Sequence, residues 1–329
     1  MTFKRGCDSI TEMRSVYDAS EAYAFRKTLG NASLRPTTVR CIFSIFRNFF
    51  FRQSCYALLP GRVPISRVDH PLDKKIPFTP SWVTVYIDFV PYWIRMLTFL
   101  LQTYGSRSID AVREFVSSMA KLYKFAVEVY SKNLSTTDRP FYVAHPKFFL
   151  IHFTDPHLMC IPSLHVMVVI HTYTKFAAIL RSLGEAESRA AQIEEMRQGA
   201  LAICQAILFV KQHSVNCIGA SVYAMTRFDP ALFPHEEAED FCSRLFGSIP
   251  PAHLPQTDCI RAPQDRGGCR AGKCKACRLA VPGTRLPAAD IAEISAHITD
   301  SYRRFREEGK GARSWEEPLL NFLRGLPQA

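Results

Sequence analysis

Every long apolar stretch in this chain is broken by charge, and that limits what it can fold into. No uninterrupted run reaches the roughly 20 apolar residues that a lipid-facing spanning helix prefers. Trp82 to Tyr104 is apolar and aromatic but contains Asp88 and Arg95. Phe148 to Leu180 carries four histidines, Asp155 and Lys175, and Gly199 to Met225 is split by Lys211, Gln212 and His213. Ionisable groups in such spans usually face a bundle interior or a cavity, where they mark function. Two readings are open: a membrane bundle with inward-pointing polar groups, or a soluble helical bundle with buried apolar faces. A hydrophobic content of 47% suits either, but a mean hydropathy of −0.04 is low for a chain that lies mostly in lipid.

The net charge of +11 fits a membrane protein with basic cytoplasmic ends, or a nucleic-acid binder. Basic residues concentrate before residue 75 and after residue 260. The positive-inside rule then puts both ends in the cytoplasm and requires an even number of spans. MTFKRGCDSITEMRSVYDASEAY has no apolar core of the signal-peptide kind, so an internal span would direct insertion. Of the eleven cysteines, seven are scattered through apparent helices, where free thiols act as small hydrophobes.

Three regions follow: a polar segment over 1–39, a helical domain over 40–227, and a cytoplasmic tail over 228–329. Arg40 to Leu59 is aromatic-rich, but Arg47 and Arg52 make it an interfacial helix rather than a spanning one. Asp110 to Tyr130 has the spacing of an amphipathic helix. A helix is expected to start after Pro162 and run to about Leu183. GEAESRAAQIEEMRQ reads as an exposed charged arm, with apolar helices over Gly199–Val210 and Val215–Thr226 beyond it. A last charged amphipathic helix covers about Ala288 to Arg306.

Three motifs carry chemistry. KNLSTTDRP places Lys132 and Arg139 seven positions apart on a loop. Lysine supplies a point charge for phosphate, whereas arginine can grip two oxygens at once. CIPSLHV puts Ser163 and His165 in the first turn of a helix, where free N–H groups favour an anion. A histidine there can protonate a leaving oxygen. ILFVKQHSVNCIG sets His213 at the break between two apolar helices, and histidine can attack phosphorus to form a phosphohistidine. Each motif alone is more often a solvated loop or a capped helix.

In this order, with 26 residues from Arg139 to His165 and 48 from His165 to His213, the three motifs resemble the phosphatidic acid phosphatase type 2 and vanadium haloperoxidase superfamily. PSLH is similar to the branch holding sphingomyelin and inositol-phosphorylceramide synthases. The likeness covers about residues 70 to 226, with KKIPFTPSWVTVYIDFVPYW similar to the second-span region of membrane members. It implies an all-α, multi-span membrane bundle of about five to six helices with a soluble basic tail, in an inner or plasma membrane. It also implies a lipid phosphatase or phosphotransferase: Lys132, Arg139 and Ser163 would hold phosphate, His165 would be the general acid and His213 the nucleophile. The partner would be a membrane lipid, the basic tail would meet anionic headgroups, and neither a cofactor nor nucleic acid is expected.

Two departures stand out. The family places an acid four positions after the nucleophilic histidine to orient it, and here that position is Cys217. The arginine usual six positions before the histidine is Ile207, although Lys211 could restore a positive charge. Losing the orienting acid of comparable dyads costs orders of magnitude in rate. A degenerate member that binds phospholipid without turnover is therefore an alternative. A third is a soluble helical protein with a zinc-binding tail, since Cys259, Cys269, Cys274 and Cys277 offer four thiolates in the spacing C-x9-C-x4-C-x2-C.

Overall fold

The computed structural model describes residues 15–59, 61–247 and 286–329, and helix dominates them. The two charges that interrupt the most apolar stretch solve each other's burial. That stretch forms a short α4 (Val83–Tyr86) and then α5 (Phe89–Tyr104), whose Arg95 is buried. Arg95 Nη1 donates to Asp88 Oδ1 at 3.0 Å and to Glu21 Oε1 at 3.1 Å, so the guanidinium keeps polar partners in an apolar setting. Glu21 opens α1 (Glu21–Gly30), which packs on α5.

An aromatic helix follows without interruption: α2 (Arg35–Ile45), a π-helical stretch (Phe46–Phe51) and α3 (Arg52–Leu58). α2 lies along α6 (Ile109–Tyr130), whose Val112, Phe115, Val116, Met119 and Leu122 form the buried stripe expected of an amphipathic helix. The apolar span over 148–180 is two helices, α7 (Pro146–Thr154) and α8 (Leu164–Ser182), separated by a loop holding Asp155 and His157. α8 touches α5, α6, α9 (Ala190–Phe209) and α10 (Val215–Phe228), and lies at the centre of the molecule.

α9 departs from expectation. From Ala190 onward the charged arm and the apolar helix after it are one continuous helix, and the arm is docked rather than free. Its Glu195 accepts from the Val16 N–H at 2.8 Å, and Arg197 pairs with Asp240 at 2.9 Å on α11 (His235–Arg244). Nor is the last part of the chain a separate tail. α12 (Ala288–Lys310) buries Ile294, Ile298, Tyr302 and Phe305 in the common core, and α13 (Glu317–Arg324) follows it. The Ala329 N–H donates to the Ile65 carbonyl at 2.8 Å.

One stretch among the described residues, Pro80–Tyr130, is long and apolar enough to cross a membrane, and 56% of its apolar window is buried within the protein. A parallel pair of strands, β1 (Ile65–Arg67) and β2 (Leu134–Thr136), closes one end of the bundle with Ile65 opposite Leu134.

At Gly219 α10 and α12 approach closely: a Cβ there would lie 2.9 Å from the Ile298 carbonyl oxygen. Backbone cannot step aside as a side chain can. Gly219→Val is expected to cost about 1–3 kcal/mol in urea unfolding. Gly311→Ala, with open space around it, should stay within about 0.5 kcal/mol.

Candidate functional site

Short backbone elements bring the second and third motifs together. β2 belongs to the first motif, and its Ser135 Oγ accepts from the N–H groups of Cys160 at 3.1 Å and Ile161 at 2.7 Å. The Tyr130 hydroxyl donates to the Pro162 carbonyl. Ser163 then caps α8 from an extended conformation, and its own N–H donates to Ser221 Oγ on α10 at 2.6 Å. Its hydroxyl makes no cap bond and instead meets His213 Nε2 at 3.4 Å.

The turn between α9 and α10 is shaped from the other side. The N–H groups of Gln212 and His213 both donate to the Ile207 carbonyl, at 3.0 and 3.2 Å. Lys211 takes a left-handed φ of +56° and donates its ammonium to the Asp73 carbonyl. The Asp73 carboxylate accepts from the first N–H of α10, Val215, at 2.9 Å.

Four of the five expected phosphate-handling residues meet here. The rings of His165 and His213 are 5.4 Å apart, and both are buried. His165 is held by stacking, 4.5 Å from Tyr86 and 4.2 Å from Phe89 between centroids. Arg139 Nη1 donates to Gln212 Oε1 at 3.2 Å, on the residue beside His213, and Nη2 donates to the Asp155 carbonyl at 2.8 Å. These partners orient the guanidinium without neutralising it. The nearest carboxylate oxygen, on Asp155, is 3.9 Å away.

Lys132 is the exception. It lies past the end of α6 with its side chain 48% exposed, and its ammonium pairs with the buried carboxylate of Glu316. None of its contacts is with the cluster. Neither supporting residue reaches His213 either: Lys211 is engaged with Asp73, and Cys217 is a buried thiol held up in pKa by desolvation. Asn216 donates to the Val68 carbonyl at 3.0 Å and faces His297 of α12. His213 Nδ1 is consequently a buried nitrogen without a hydrogen bond, on the atom that the family's acid would hold.

Gln53, Asp155, His157 and Gln212 also join the cluster, although none of them belongs to the expected set of site residues. His157 Nε2 sits 2.7 Å from Thr137 Oγ1, its ring is 6.3 Å from that of His213, and its backbone is left-handed at φ +62°. Burial first, then the charge of Arg139, holds its pKa well below the usual histidine value. Asp155 Oδ1 accepts from the His157 N–H at 2.8 Å and from Gln53 Nε2 at 2.9 Å. Burial raises its pKa, with the His157 N–H and Arg139 opposing. A histidine eight residues before His165, inside the same interrupted span, was the available signal.

Among the described residues no group of three or more His, Cys, Asp or Glu is placed to hold a metal ion. Cys259, Cys269, Cys274 and Cys277 lie outside the described residues. Comparison with protein-family models, curated proteins and solved structures returns no match.

Burial pushes the His213 pKa down from 6.5 to about 3, the Cys160 backbone opposing. The folded state therefore holds this ring neutral while the unfolded chain takes up a proton below pH 6.5. Stability from this group is complete above that pH and is lost as pH falls towards 3, at about 1.4 kcal/mol per pH unit. Denaturant unfolding between pH 7 and 5 should show that decline on top of the same-signed contributions of the buried His157, His165 and His171, and His213→Asn should make the total slope shallower by about 1.4 kcal/mol per pH unit without removing it.

Proposed function

We propose that the cluster transfers a phosphoryl group from a phosphorylated lipid through a phosphohistidine on His213. The observation that carries this reading is the meeting of Ser163, His165 and His213, with Arg139 fixed one residue from the nucleophile. A phosphate here would take two oxygens on the Arg139 fork and lie against the first turn of α8, whose dipole favours negative charge. His213 Nε2 forms the bond to phosphorus while the phosphorus–oxygen bond to the lipid breaks, and His165, which burial keeps neutral until a phosphate monoanion brings it a proton, passes that proton to the leaving oxygen. In the second half His165 takes a proton from water or an acceptor alcohol, whose oxygen displaces His213. The proton count closes over the two halves.

A second reading has its own support in the unpartnered Nδ1 of His213. An imidazole without an orienting carboxylate is a poorer nucleophile, so the protein would bind a lipid phosphate and turn it over slowly or not at all.

Protein in detergent, given a short-chain lipid phosphate, is expected to release phosphate. It should also carry an acid-labile, base-stable protein phosphate that is absent in His213→Ala. Arg139→Ala should lose about 100-fold or more in kcat/KM, the scale of one charge-stabilising donor. Lys132→Ala, already committed to Glu316, should lose less than about tenfold. No release above background by wild type ends the enzymatic reading. Turnover appearing only in Cys217→Asp would establish the degenerate one.

A further inference from the structure

The large apolar side chains left exposed are concentrated in two places. One is the continuous helix from Arg35 to Leu58, where Ile42, Phe43, Phe46, Phe50 and Leu58 face outward, Phe43 at 63% exposure. The other is the loop and helix around α7, where Phe141 is 83% exposed, Phe153 81%, and Phe149 and Leu150 are also open. The two are fixed to each other. Gln53 of α3 donates to the Asp155 carboxylate just past α7 at 2.9 Å and accepts from the Leu158 N–H at 3.2 Å. Asp155 also receives Arg139, so this apolar surface borders the most open members of the cluster.

The segments that carry it are one-sided in charge, although Asp110 and Glu114 of α6 lie near Thr37 of α2. Between Ala22 and Val68 the sequence carries eight Lys or Arg and no Asp or Glu. Lys147 and two histidines accompany α7, and no acid occurs from Arg139 to Thr154. We propose that this aromatic and basic face seats the protein on an anionic lipid bilayer, with the long helix lying in the plane of the headgroups. The helix is about 36 Å long at 1.5 Å per residue, enough to cross a bilayer. However, Arg40, Arg47 and Arg52 are spread along it, so a transverse helix would hold a guanidinium near mid-depth. Lying flat, each arginine reaches phosphate while the phenyl rings enter the acyl boundary. A second copy of the chain is a poor occupant, because a two-fold contact would set arginines against arginines. Anionic lipid supplies the missing sign.

The proposal does not depend on turnover, and the test separates the two. The full chain is mixed with vesicles of phosphatidylcholine alone, or with one phosphatidylglycerol for every two phosphatidylcholines, and the sedimenting fraction is measured. Wild type should partition into the mixed vesicles and be released by salt. Phe149→Ser with Phe153→Ser should weaken partitioning at least about tenfold. Arg40→Glu with Arg47→Glu should abolish the preference for the anionic vesicles. The phenylalanine pair should still cleave a short-chain, water-soluble lipid phosphate while losing the long-chain one in vesicles. Wild type that fails to sediment above the vesicle-free control, or variants that partition like wild type, would overturn the proposal. So would a concentration-dependent dimer that the phenylalanine pair disrupts in the absence of vesicle binding, since that assigns the face to a second copy. If wild type sediments but cleaves neither lipid, the enzymatic reading falls and this one stands.

Discussion

The first turn of α8 meets the turn between α9 and α10 through a few hydrogen bonds between small polar groups, and the site exists only where they touch. Ser163 is held from three sides: the Tyr130 hydroxyl on the preceding proline, Ser135 on the two residues before that, and Ser221 on its own N–H. The opposite turn is held by Asp73, which binds Lys211, two residues before His213, through its carbonyl and the start of α10 through its carboxylate. In a dry interior each of these bonds replaces a costly unpaired group, so the two histidine rings have little freedom to drift.

Much of this was legible in the sequence, for a physical reason. Helix breaks inside apolar stretches cannot be hidden, because a proline, a charged residue or a histidine there leaves a mark. Pro162 and KQHS announced the start of α8 and the α9–α10 turn within a residue or two. The amphipathic stripe of α6 was equally plain. Long-range pairing was not legible. Nothing local to Lys132 says that Glu316 will claim its ammonium, and nothing local to GEAESRAAQIEEMRQ says that α11 and the segment before α1 will dock its charges. Ser135 shows the same limit. It reads as one hydroxyl in a polar loop, yet it supports the turn that carries Ser163.

The electrostatics of the cluster follow from how few charges it contains. Arg139 is oriented by two carbonyl oxygens, which fix its direction and leave its charge available, with one carboxylate at the edge of ion-pair distance. Both central histidines are buried, and for His213 desolvation makes the neutral ring the resting form. A neutral imidazole and a guanidinium whose carboxylate neighbour stands off at 3.9 Å suit an incoming phosphate: the cation attracts it and the free lone pair can attack. The Nδ1 of His213 limits this arrangement, because no carboxylate stands behind the ring to steady the positive charge that builds on it as its lone pair bonds to phosphorus.

The same accounting of buried and exposed groups explains why a chain so rich in phenylalanine has a mean hydropathy near zero. α8 and α10 are apolar, but α12 packs on α10 and α9 on α8, covering them with side chains of the same protein. Their hydrophobicity is spent on the core. Most of what is left outside belongs to the helix over 35–58 and to α7 with the loop before it, where the covering elements stop. An apolar surplus that survives folding in one region, beside a run of sequence with cations and no acids, is not left by packing alone, since packing would scatter it. Because Gln53 ties that surface to Asp155, and Asp155 ties it to Arg139, a lipid held there would present its phosphate at the edge of the cluster.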